Sequence, residues 1–247
     1  MPARASAVFT TNVFKAAPVL LDMERIKSGR AQAILTNSGN ANAATGLEGY
    51  DDARAISAAL SKRLNIQDEL VLVASTGVIG HRLPLIKIES GLDRLIRGLR
   101  PEGILDAEDA IMTTDRFPKI AIRRGRIGGR EITLCGIAKG AGMIEPHMAT
   151  MLAYVMTDAC VDGAVLDRIF RNTVAQTFNA VSVDGCMSTN DTAIILANGA
   201  AGNPAITSRS RSLHVFKEML LGVLSELSQA MVRDGEGATK LIRIDVQ

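Results

Sequence analysis

The chain has 247 residues, enough for one large domain or two small ones, and 47% of them are hydrophobic, which supplies a sizeable core. Aromatic residues make up only 3% and Trp is absent, so that core must rest on Val, Ile, Leu, Ala and Met. A net charge of +2, with no long Lys/Arg run, argues against a nucleic-acid surface. No apolar run reaches membrane-span length, and Met1-Pro2-Ala3-Arg4 lacks the apolar stretch of a secretory signal. Cys135, Cys160 and Cys186 are an odd, sparse set without metal-type spacing, which fits a reducing cytoplasm better than a disulfide framework. The expectation is a soluble intracellular protein.

In chain order, Ser6 to Thr10 reads as a strand, and Val19 to Ile26 as a helix that follows Pro18. Gln32 to Leu35 reads as a short strand, running into a loop of small polar residues, Asn37 to Gly46. Ala53, Ile56, Leu60 and Leu64 mark one face of a helix. Leu70-Val-Leu-Val-Ala74 is the clearest buried strand of the first half, ending at a turn, Ser75 to Gly80. A strand that runs into a Gly-containing turn often exposes backbone N–H groups, which bind an oxyanion when aimed at one point. Ile86 to Leu99 and Leu105 to Met112 read as helices, and Thr113-Thr114-Asp115 closes the second.

Lys119 to Arg124 and Glu131 to Ile137 read as two strands around Gly128-Gly129, which makes the basic Arg123–Arg130 stretch a solvated hairpin. The second strand delivers the chain to Lys139. Met151 to Met156 is an apolar, buried strand, and Leu166 to Phe178 is a helix with Asp162 as its cap. Val181 to Val183 reads as a short strand before Asp184 to Thr192, and Ala193 to Ala197 is strand or helix. Residues 201–211 resemble a linker, Leu213 to Met231 is the longest amphipathic stripe, and Leu241 to Val246 is a final strand. Strands interleaved with helices argue for an α/β or α+β layered fold, with mixed sheets flanked by helices.

The chain is organised around residues 139–152, Lys-Gly-Ala-Gly-Met-Ile-Glu-Pro-His-Met-Ala-Thr-Met-Leu. A glycine-rich run after Lys139 allows close approach of backbone and substrate. Pro146 stiffens the approach to Ala149-Thr150, and Thr150 stands at the mouth of a buried strand. This stretch resembles the self-cleavage site of the ornithine acetyltransferases, the glutamate N-acetyltransferases of arginine biosynthesis. The match is Lys139-Gly140, Gly142-Met143-Ile144, Pro146 and Met148-Ala149-Thr150-Met151-Leu152. Glu145 departs where that family usually has a small residue, and His147 where it usually has asparagine; both bear on cleavage.

The resemblance implies cleavage between Ala149 and Thr150, with Thr150 as the acyl-carrying nucleophile. The freed α-amine, of ordinary pKa about 8, would be its base, which suits a chain with three histidines. It also implies an oxyanion hole at Thr76 and Gly77, and substrate-binding positions at Thr113, Lys139, Thr150 and Glu236. A lysine and a glutamate are the complementary charges for an amino-acid substrate. The segments implied are an α-type part, 1–149, and the start of a β-type part, 150–247, in one folded unit. The implied reaction moves an acetyl group from N-acetylornithine to glutamate, with acetyl-CoA as a possible co-substrate and no metal or other cofactor. The implied assembly is an α/β heterodimer that pairs into a heterotetramer, with no nucleic-acid or membrane partner. Family members normally continue past the last strand here, so the alternative expectation is a truncated, non-catalytic remnant. A weaker one is a hydrolase with the same self-cleaving strategy.

Overall fold

The computed structural model describes residues 2–143 and 151–245. The expected cleavage and nucleophile positions, Ala149 and Thr150, and the departures Glu145 and His147, lie outside the described residues. Strands β1 (Ala3–Phe9), β2 (Arg30–Ala31), β5 (Ile120–Ile127), β6 (Arg130–Lys139), β7 (Leu152–Thr157) and β8 (Thr192–Ala197) form a six-stranded sheet in the order β2-β1-β8-β7-β6-β5. It is antiparallel except for the β7–β8 pair. Strands β3 (Ala33–Asn40) and β4 (Val71–Val78) make a separate parallel pair.

The two-residue period of each strand sorts its side chains into layers. On β7, Ala153 and Val155 join one core, where helices α5 (Gly163–Gln176) and α6 (Leu213–Arg233) cover the large sheet with Leu166, Phe170, Phe216 and Leu224. Leu152 and Tyr154 point the other way, into a second core shared with Leu72 and Ala74 of β4 and with Ile111 of α4 (Ile104–Ile111). Val71 and Val73 of β4 face a third core, built by α1 (Ala17–Arg25), α2 (Gly46–Leu64) and α3 (Leu85–Arg97). The layers run helices, sheet, sheet, helices. β4 is buried on both faces, which is why its sequence is a continuous apolar run rather than an alternation.

Local signals explain several boundaries. Pro18 occupies the first turn of α1. The Asp162 carboxylate accepts from the Ala164 and Val165 amides and caps α5. Asn65 adopts a left-handed conformation that ends α2. Gly136 lets α6 sit close on β6: a Cβ there would lie 2.7 Å from Val223 Cγ1 and 2.9 Å from Leu227 Cδ1.

The structure departs from the sequence reading in four places. β3 continues through Asn37-Ser38-Gly39-Asn40 and β4 through Ser75 to Val78, where polar loops were expected. The small polar residues are satisfied across the pair, as where the Ser75 hydroxyl donates to Asn37 Oδ1 at 2.7 Å. The Arg123–Arg126 cluster lies within β5, and only Gly128-Gly129 forms the turn. Val181 to Val183 is not a strand; Val181 and Val183 pack on the α5/α6 core without a ladder. Residues 241–245 are not a strand either, because no described strand pairs with them, and Ile242 and Ile244 stay exposed. The alternative left open for Ala193 to Ala197 resolves as strand β8, and the stretch 201–211 bridges to the fold through Val161 and Ile206. Among the described residues no helix is long and apolar enough to cross a membrane.

Leu72 is fully buried between the two sheets, whereas Leu47 at the start of α2 is 84% exposed. Leu72→Ala is expected to cost about 2–5 kcal/mol in urea denaturation. Leu47→Ala should stay within about 0.5 kcal/mol. Equal effects would contradict the layering.

Candidate functional site

Three strands begin or end in one row. Lys139, the last residue of β6, pairs with Leu152, the first of β7, and Leu152 pairs with Thr192, the first of β8. Met151 and Asp191 therefore stand side by side, one step before the ladder. Met151 is clamped there: its N–H donates to Asp191 Oδ1 at 2.9 Å, and its carbonyl accepts from the Thr192 N–H at 3.1 Å.

The loop leaving β6 is gripped from three sides. The Gly140 N–H donates to Asp115 Oδ1 at 2.7 Å, and the Glu236 N–H donates to the Ala141 carbonyl at 2.7 Å. The Met143 N–H donates to Asp184 Oδ2 at 2.5 Å. The Glu236 carboxylate lies against Gly142, where a Cβ would come within 2.8 Å of it. Glycine at 142 is thus what allows the acidic side chain to approach the loop backbone.

Asp115 is a hub. Its Oδ2 accepts from the Thr113 N–H at 3.0 Å, and its Oδ1 from the Lys119 ammonium at 2.6 Å as well as from Gly140. Lys119 is buried and also reaches Asp234 Oδ2 at 2.6 Å, while Arg116 holds Asp234 from the other side. Burial by itself would raise the Asp115 carboxyl, but the hydrogen bonds from Lys119, Gly140 and Thr113 outweigh it and hold it below the usual range. Asp234 follows the same pattern, with burial outweighed by Lys119 and Arg116. Lys139, 2% exposed, donates to Thr113 Oγ1 at 3.3 Å. Burial pulls its ammonium below the ordinary lysine range; Asp115 and Asp191 oppose that, and Lys119 adds to it.

Thr113, Lys139 and Glu236, far apart in sequence, therefore meet around residues 139–142. Thr76 and Gly77 lie within β4 rather than on a free turn, paired with Ser38 and Gly39 of β3. Gly77 has φ +131°, and a Cβ would come within 2.3 Å of the Gly39 carbonyl carbon, so only glycine fits. The tie to the rest of the site is Asn190, whose side-chain amide donates to the Ser75 carbonyl at 2.8 Å and the Ala41 carbonyl at 2.6 Å. Asn190 thus fixes the end of β4 while its neighbour Asp191 fixes the head of β7. The sequence by itself assigns no role to Asp115, Asp191 or Asp234, and Lys119 reads there only as the first residue of a strand. A lysine heading an apolar strand was the available signal.

This is a layered α/β protein with a buried charged cluster at the end of its larger sheet. The chain belongs to the ArgJ family, which it matches over residues 1–247. It is 53% identical over 246 residues to the arginine biosynthesis bifunctional protein ArgJ of Geobacter sulfurreducens, covering 100% of this chain and 63% of that protein. The chain thus spans less than two thirds of the length of that curated relative. Among solved structures it resembles the ArgJ protein of Bacillus halodurans, 39% identical with a TM-score of 0.56 over 62% of this chain and 78% of that one. It also resembles the ornithine acetyltransferase of Mycobacterium tuberculosis complexed with ornithine, 33% identical with a TM-score of 0.51 over 62% of this chain and 79% of that one.

Lys119→Met leaves two buried carboxylates without their shared cation, and a loss of about 3–5 kcal/mol is expected in chemical denaturation at pH 7. Asp115 and Asp234 are held low in the fold, so their stabilisation is present above the ordinary Asp value of about 4 and is lost as pH falls through the folded values. The wild-type stability curve should therefore decline on the acid side, and that decline should flatten in Lys119→Met. An unchanged acid limb would refute the assignment.

Proposed function

We propose that the chain acts as a glutamate N-acetyltransferase of arginine biosynthesis, working through an acetyl-Thr150 intermediate after self-cleavage between Ala149 and Thr150. The observation that carries this reading is the meeting of Thr113, Lys139 and Glu236 around residues 139–142, within a chain that matches its family throughout. The relative solved with ornithine supports a substrate of that class.

In the proposed reaction the Thr150 hydroxyl oxygen attacks the acetyl carbonyl carbon of N-acetylornithine. Its proton passes to the α-amine freed by cleavage, whose ordinary pKa of about 8 suits a base near neutral pH. The C–N bond then breaks, the proton follows the leaving nitrogen, and ornithine departs. The amine of glutamate then attacks the ester carbonyl carbon, the bond from that carbon to the Thr150 oxygen breaks, the amine's proton returns to that oxygen by way of the α-amine, and N-acetylglutamate departs. Thr76 and Gly77 supply backbone N–H groups to the tetrahedral oxyanion. Lys139 and Thr113 receive the substrate carboxylate, and Glu236 receives an amine, with charge-assisted hydrogen bonds that fix orientation. Acetyl-CoA is a second donor compatible with this route, and no metal is needed for it. The assembly proposed is an α/β heterodimer, 1–149 with 150–247, pairing into a heterotetramer in the cytoplasm.

The test is intact mass under denaturing conditions, before and after incubation with N-acetylornithine. Two pieces are expected, ending at Ala149 and starting at Thr150, with an acetyl adduct on the second. Thr150→Ala should give one uncut chain without adduct. A wild-type chain that stays whole, or that cleaves but takes no acetyl group, would overturn the reading; release of ornithine without any need for glutamate would mark a hydrolase instead.

A further inference from the structure

The stretch Ser188 to Thr192 has no part in the proposed reaction, yet one of its side chains holds the strand end that carries Thr76 and Gly77. Asn190 is buried, and both ends of its side-chain amide are engaged. Nδ2 donates to the Ser75 carbonyl at 2.8 Å and to the Ala41 carbonyl at 2.6 Å, while Oδ1 accepts from the Thr189 hydroxyl at 2.6 Å. The two amide protons meet two carbonyls and the acceptor meets a hydroxyl, so the group has one orientation; turned over, its oxygen would face both carbonyls. The Asn190 backbone is fixed as well: its N–H donates to the Ser188 hydroxyl at 3.1 Å, and its carbonyl accepts from the Thr192 hydroxyl at 3.0 Å.

These contacts bracket Thr76-Gly77. On one side stands the Ser75 carbonyl. On the other, the Val78 carbonyl accepts from the Ala41 N–H at 2.9 Å, and Ala41 is itself held through its carbonyl by Asn190. A closed chain of contacts therefore runs from Asn190 to Ser75, through Thr76-Gly77 to Val78, across to Ala41 and back to Asn190. The Ser75 carbonyl and the Thr76 N–H belong to one planar trans peptide and point in opposite directions, so fixing the first fixes the second. A carbonyl that accepts a hydrogen bond also polarises its peptide, which strengthens the N–H at the other end as a donor. Gly77, at φ +131° with its backbone against Gly39, confines the dipeptide from a third side.

We propose that Asn190 is a positioning residue for the oxyanion site: by holding the Ser75 and Ala41 carbonyls, its side-chain amide sets the direction of the Thr76 and Gly77 N–H groups. The orienting role stands on these contacts; its consequence for acetyl transfer rests on the function proposed above. Asn190 acts through the backbone, not by contact with substrate. Well-aimed donors matter most when negative charge gathers on the reacting oxygen, so this side chain should affect the rate of the chemical step and leave substrate affinity alone.

Asn190→Leu keeps the branched outline of the side chain and removes both donors. The orientation is read by NMR of the full chain, with serine carrying 13C at its carbonyl and threonine carrying 15N. Ser-Thr occurs at 75–76 and at 188–189, so each peptide gives its own cross peak, and the second is identified by its loss in Ser188→Ala. In Asn190→Leu the Ser75–Thr76 peak is expected to shift in its carbonyl dimension, because a hydrogen bond is lost. Its N–H residual dipolar coupling is expected to change, because the bond direction moves. A folded variant that keeps both wild-type values overturns the proposal. Should Asn190→Leu not fold, Asn190→Asp, which keeps the acceptor for Thr189 and loses the amide donors, is read in the same way with the same deciding outcome.

Acetylation of the same proteins is followed by mass in single turnovers, over a range of N-acetylornithine concentrations and without glutamate. The rate reports the chemical step, and the amplitude reports the fraction of competent chains. A wild-type chain that takes no acetyl group defeats the proposed function, while the NMR still decides the orienting role. With an active wild type, a limiting rate at least about tenfold slower in the variant, at an unchanged half-saturating concentration, supports the proposal. A smaller amplitude at the wild-type rate would mean that Asn190 only holds the fold together, and overturns it.

Discussion

The buried bridge Asp115–Lys119–Asp234 is the interaction on which the candidate site depends. Three distant parts of the chain converge on it: the loop after α4, the head of β5, and the end of α6. Desolvating a lysine and two aspartates costs several kcal/mol per ion, and direct contacts at 2.6 Å recover that cost only because further donors complete the carboxylates. Those donors are the backbone amides of Thr113, Arg116 and Gly140, supplemented by the Arg116 side chain. The bridge therefore does more than cancel charge. It sets the backbone on which Thr113, Lys139 and Glu236 are mounted, and a movement of any one arm would leave a buried charge incomplete.

The layered architecture gives that bridge a firm base. The large sheet is pressed between α5/α6 and the β3/β4 pair, and each strand divides its side chains between two cores. Close approach relies on missing side chains. Gly136 admits α6 onto β6, and Gly77 admits β4 onto Gly39. The two sheets also touch through a polar link, Thr36 Oγ1 to the buried Tyr154 hydroxyl at 2.9 Å. Close packing of this kind leaves little room for relative movement, so residues placed at the sheet end are placed precisely in relation to one another.

The site also carries a charge gradient. The lysine at the centre of the bridge meets two aspartates and is neutralised in place. Lys139, one strand along, has no carboxylate in hydrogen-bonding contact among the described residues, and Asp115 and Asp191 act on it through their field. Among the described residues, the same sheet end thus contains one lysine bonded to two acids and another bonded to none.

Sequence alone determined much of the secondary structure and the identity of the family. Apolar spacing marked α2, α5 and α6, the proline and aspartate signals marked two helix starts, and the Leu70–Ala74 run announced a strand buried on both faces. The residues from Lys139 to Leu152 carry the resemblance, because close backbone approach and a strand-mouth threonine leave a recognisable order of glycines, proline and threonine. Tertiary structure alone decided which carboxylate meets which lysine. Asp115, Asp191 and Asp234 look like ordinary loop and helix-end acids in one dimension, and no periodicity distinguishes them. It also decided where strands end. The polar tails of β3 and β4 become strand only because each supplies the other's hydrogen bonds, whereas the apolar alternation at 241–245 pairs with no strand among the described residues. Local sequence encodes propensity, while the pairing of buried charges and backbone groups depends on partners that are distant in the chain and become neighbours only in the folded state.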